Sequence, residues 1–68
     1  MSTIAKVKQT LATIKGAEST LEIYSLQERN NQAKEVYSEA AREINKIKRD
    51  LEKRIGTMEF EEPQYKGN

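Results

Sequence analysis

The sequence predicts an all-α fold, an antiparallel two-helix hairpin that dimerises into a four-helix bundle. Three observations carry that prediction. Apolar residues recur at alternating steps of three and four through both halves of the chain, the periodicity of a helix face and not of a strand. A short polar stretch, Gln27 to Asn30, separates the halves, and so brief a connection makes the two helices antiparallel neighbours. The chain has only 68 residues, with no Cys and no His. Disulfides and zinc-type staples are thus excluded, and a core worth only ~3–5 kcal/mol is best extended by a second subunit.

The first helix, expected over residues 3–27, carries the stripe Ile4, Val7, Leu11, Ile14, Ala17, Leu21 and Tyr24, with Ser2 or Thr3 as its cap. A turn at residues 28–30 follows, where Asn30 or Asn31 is a sound N-cap for the next element. The second helix, residues 31–60, repeats the pattern with Ala33, Tyr37, Ala40, Ile44, Ile47 and Leu51, widened by Val36, Ala41 and Ile55. Gly56 is one place for it to end, but Met58 lies a heptad beyond Leu51, and Pro63 sets the stop because it disfavours helical geometry at Glu62. Residues 61–68 remain as a non-helical tail.

Folding the chain about residue 29 sets Leu21 opposite Tyr37, Ile14 opposite Ile44, Leu11 opposite Ile47, Val7 opposite Leu51 and Ile4 opposite Ile55. These ten residues, with Tyr24, are the expected hairpin or dimer interface. Two such hairpins packed together cover faces that one leaves half bare, which is the reason to expect a homodimer.

Charge bounds the function. Lys and Arg number 12 against 11 Asp and Glu, a net charge of +1, where a nucleic-acid binder shows a clear basic excess. No window approaches ~18 consecutive apolar residues, so no transmembrane segment is expected and the expected place is cytoplasmic. Without His no nucleophile has its usual activating base, and no Gly-rich phosphate loop is present. The sequence therefore offers no catalytic residue, no metal site and no cofactor, and the chain reads as a non-enzyme.

Four local features each have two readings. Glu18 lies on the apolar stripe, opposite Ala40 and Ala41 in the pairing above. An inward carboxylate suits a ferritin-like metal site, but those sites add Glu-x-x-His motifs, so a Glu at the bundle edge paired with a Lys is the plainer reading. Residues 44–55 hold five bases against two acids. They suit a phosphate or lipid contact, or else a solvated face laced by the pairs Lys46 with Asp50, Lys48 with Glu52 and Asp50 with Arg54, at ~0.2–0.5 kcal/mol each. Ile23 and Leu26 lie off the stripe, as isolated exposed residues or as a docking patch. Finally, Met58, Phe60, Pro63 and Tyr65 cluster where the first helix has run out, either as an ordinary frayed terminus or as a segment that docks on the partner hairpin or is read by another protein.

Several stretches carry a resemblance. VKQTLA at residues 7–12, KGA at 15–17 with Leu21 and Glu22, NQAK at 31–34 with Tyr37, Ala40 and Ala41, and EEPQYKG at 61–67 resemble the domain-of-unknown-function family numbered sixteen fifty-seven. The resemblance covers nearly the whole chain, and the terminal motif is its most specific part. It implies a very small protein of spore-forming bacteria, encoded beside spore inner-membrane proteins such as those that transport dipicolinic acid. It further implies a role in spore membrane properties, resistance or germination, in the forespore or spore interior or peripheral to the inner membrane. It carries over no catalytic or binding residue. The expected function is an interaction module that acts with a spore membrane protein. A structural or storage protein of the spore interior is the alternative, and a ferritin-like metal or small-ligand binder comes after it.

Overall fold

Ser2 begins the first helix from extended backbone, and its hydroxyl accepts a hydrogen bond from the Ala5 N–H at 3.2 Å, satisfying one of the orphan donors of the first turn. A computed structural model of the chain describes residues 2–61. Helix α1 spans Thr3–Gln27 and helix α2 spans Asn31–Glu61, with no strand among the described residues. The second helix thus continues through Gly56 and one residue past Phe60.

The turn between them is held by its own side chains. Glu28 leaves the helix with extended backbone while its N–H still donates to the Tyr24 carbonyl at 2.9 Å. Its carboxylate then accepts from the N–H groups of Arg29 and Asn30, at 3.0 and 3.1 Å. Asn30 closes the sequence as the N-cap of α2, its side-chain oxygen accepting from the Ala33 N–H at 2.9 Å. A connection this short leaves the helices no choice but to run back alongside each other.

The hairpin measures 48 × 18 × 12 Å, and its thinnest dimension is that of a single helix with its side chains. Its radius of gyration is 15.2 Å, against ~11 Å for a compact domain of this length. One layer of two helices can enclose only the line along which they touch. On that line lie Ile4, Leu11, Glu18 and Ser25 of α1 and Ala41, Lys48 and Ile55 of α2, each set spaced by seven. Among the described residues only Ile4, Ala41 and Ile55 become buried apolar residues, and Glu18 and Ser25 are buried with them. Such a core is thin for an independent fold.

Candidate functional site

Glu18 sits at the middle of the contact line, where burial of a lone carboxylate would be costly. Lys48 Nζ donates to one of its oxygens at 2.7 Å and Asn45 Nδ2 to the other at 2.7 Å. These two hydrogen bonds, from Lys48 first and Asn45 second, hold the Glu18 carboxyl below its ordinary pKa despite the opposing effect of desolvation. The plainer reading of Glu18, a pairing with Lys, is the one found. No group of His, Cys, Asp or Glu able to hold a metal ion occurs among the described residues.

The partners of Glu18 lie one to two turns further along α2 than Ala40 and Ala41. Helical side chains lean toward the N-terminus of their own helix, so in an antiparallel pair the tips meet further from the turn than the backbone levels suggest, and a long Lys extends the offset. For the same reason Tyr37 packs edge-on against Tyr24, ring centroids 5.6 Å apart, although folding about residue 29 sets it opposite Leu21.

Two seams flank the contact line, and they differ in kind. Along one, Lys8 reaches Glu59 at 3.4 Å and Lys15 reaches Glu52 at 3.6 Å, with the Glu18 cluster between these pairs and the turn. Nearest the turn the hydroxyls of Ser25 and Ser38 bond to each other, and Ser25 also donates to the Lys34 carbonyl at 3.4 Å. The α2 members of this seam, Ser38, Asn45, Glu52 and Glu59, are spaced by seven, so one polar ridge of α2 is matched along its length. No buried side-chain nitrogen or oxygen among the described residues lacks a partner.

The other seam is apolar. Val7, Ile14 and Leu21 of α1, and Tyr37, Ile44, Leu51 and Met58 of α2, fall at the same heptad spacing and are only half-buried. Beside them Tyr24, Ile47 and Val36 remain 48%, 54% and 63% exposed. Of the expected interface residues, Ile4 and Ile55 are thus enclosed by the hairpin, whereas Tyr24, even with Tyr37 against one edge, and Ile47 stay about half exposed.

The polar side also carries a shallow groove of about 620 Å³ near the turn, between Glu22 and Leu26 on α1 and Arg42, Lys46 and Arg49 on α2. Leu26 is 79% exposed at its edge, while Ile23 faces away from α2.

Two expectations are corrected. Of the three ion pairs expected within the basic run, only Asp50 with Arg54 forms, at 2.9 Å. Lys48 goes to Glu18, Glu52 goes to Lys15, and Lys46 pairs backwards with Glu43 at 3.1 Å, because the facing helix and the preceding turn offer closer acids. Met58 and Phe60 do not cluster. Two residues apart on a helix they point to nearly opposite faces, Met58 half-buried on the apolar seam and Phe60 86% exposed. Pro63 and Tyr65 lie outside the described residues. The polar seam is what sequence reading missed; its signal was the heptad run of Ser38, Asn45, Glu52 and Glu59.

A family model described as a protein of unknown function, DUF1657, matches residues 7–55. That span contains the turn and both seams as far as Ile55, with Met58 and Glu59 beyond it. No curated protein and no solved structure matches the chain. No helix among the described residues is long and apolar enough to cross a membrane.

Proposed function

The chain belongs to the DUF1657 family, and on that footing we propose that it is a small non-enzymatic interaction module that acts with spore inner-membrane proteins in spore resistance or germination. One observation carries the reading: the hairpin satisfies one seam with its own charges and leaves the other apolar and half bare along its length. A face of that kind is built to be covered by another protein surface. The polar groups that the fold brings together support the non-enzymatic part, since the Glu18 carboxylate is engaged by Lys48 on one oxygen and by the Asn45 amide on the other. The spore setting, and a place inside the spore beside its inner membrane, come from the family resemblance.

The test is a crosslinked capture from spore membranes with the full chain and with a chain ending at residue 60. Stoichiometric capture of one inner-membrane protein is expected. Capture of none, with the protein abundant and folded in the spore interior, would give the structural or storage role instead.

A further inference from the structure

We infer that the apolar seam is the seat of a second copy of this chain, packed face to face to make a four-helix bundle; the inference rests on the interaction reading above and names its first partner. The argument starts from size. The seam runs along a face of 48 by 18 Å; full cover of that face is about 860 Å², comparable to the ~800 Å² that a stable protein interface takes from each partner.

Shape and chemistry narrow the occupant further. Val7, Ile14 and Leu21 on one helix and Ile44 and Leu51 on the other repeat every seven residues, and such ridges are filled by helices that carry the same repeat over the same length. A second copy supplies both. A lipid surface fits less well, because the outer ridge of α2 beside the seam carries Glu43, Asp50 and Glu61 against Arg54, a sign that repels anionic headgroups. Constant cover is also required. With three buried apolar side chains among the described residues, a lone hairpin has little to offset the entropy of ordering two long helices.

The decisive comparison uses two substitutions of the same chemistry at nearly equal exposure. Ile47, 54% exposed, borders the seam; Ile23, 50% exposed, points away from it. In sedimentation at micromolar concentration the native chain is expected at twice 7.8 kDa. Ile47→Glu should sediment at 7.8 kDa with reduced helicity, and Ile23→Glu should remain at twice that mass. Should Ile47→Glu fail to fold, Ile47→Ala keeps the test: a dimer dissociation constant raised about tenfold is expected, with Ile23→Ala unchanged. A fully helical native monomer at high micromolar concentration, or a dimer indifferent to Ile47, overturns the inference. A folded monomer that still captures a membrane protein would sink the dimer and leave the interaction reading standing. A dimer that captures nothing would do the reverse.

Discussion

The two seams of the hairpin run the same distance between the same two helices, yet one is closed by charge and the other is left to a partner. The closed seam uses long side chains, Lys8, Lys15 and Lys48 against Glu59, Glu52 and Glu18, which span the groove between helices and reach water at their tips. The open seam uses branched and aromatic side chains at heptad spacing, which a single layer of two helices leaves half-buried or exposed. The two seams therefore have different duties. Exposed ion pairs contribute little stability, so the polar seam chiefly fixes which side faces out, whereas the apolar seam holds the free energy that association can release.

Substitutions that remove the line between the seams should have the largest effect. Ile55 is 6% exposed, and Ile55→Ala should cost about 2–4 kcal/mol by lost burial and cavity formation, enough to abolish the helical circular-dichroism signal of so small a chain. Within the open seam, Leu51→Ala should cost less, about 1–2 kcal/mol at low concentration because the side chain is only half-buried, and more as concentration rises and the partner's contacts count.

Acid separates the closed seam from the open one through Glu18. Its folded pKa is depressed, so its contribution is fully present above the ordinary value of 4.5 and is lost as the pH falls through the lower folded value. Melting temperature should therefore fall in acid below pH 4.5, and Glu18→Gln should remove that part of the fall while lowering stability at neutral pH. An acid profile unchanged by Glu18→Gln would mean that the buried pair does not close the seam.

Smaller effects follow on the outer surface. Gly16 lies inside α1, and a methyl group added there would meet nothing within 4 Å, so Gly16→Ala should stabilise the chain by about 0.5–1 kcal/mol. A loss instead would reveal a close contact on the back of α1, outside both seams. The smallest change is expected at Lys15, half-exposed in its pair with Glu52, where Lys15→Ala should cost at most about 0.5 kcal/mol in a denaturant melt.

The fold was legible because periodicity, caps and a short turn all agreed: the stripe from Ile4 to Tyr24, and Ser2 and Asn30 as caps on either side of a three-residue connection. The seams were less so. A stripe read from one helix gives the residues that face inward on average, but which of them meet depends on the lean of side chains in an antiparallel pair, and that moved Glu18 from Ala41 to Asn45 and Lys48. Charges were misassigned because i,i+4 spacing is visible in a sequence while a facing helix is not. Lys48 and Glu52 each found a partner on α1 in place of each other.

The most direct measurement of whether the open seam is covered by a second copy is the melting temperature of the native chain from about 5 to about 500 μM, followed by circular dichroism. A melting temperature that rises steadily with concentration, and a rise that Ile47→Glu abolishes, is the predicted result. A fully helical chain whose melting temperature stays constant across that range would contradict it.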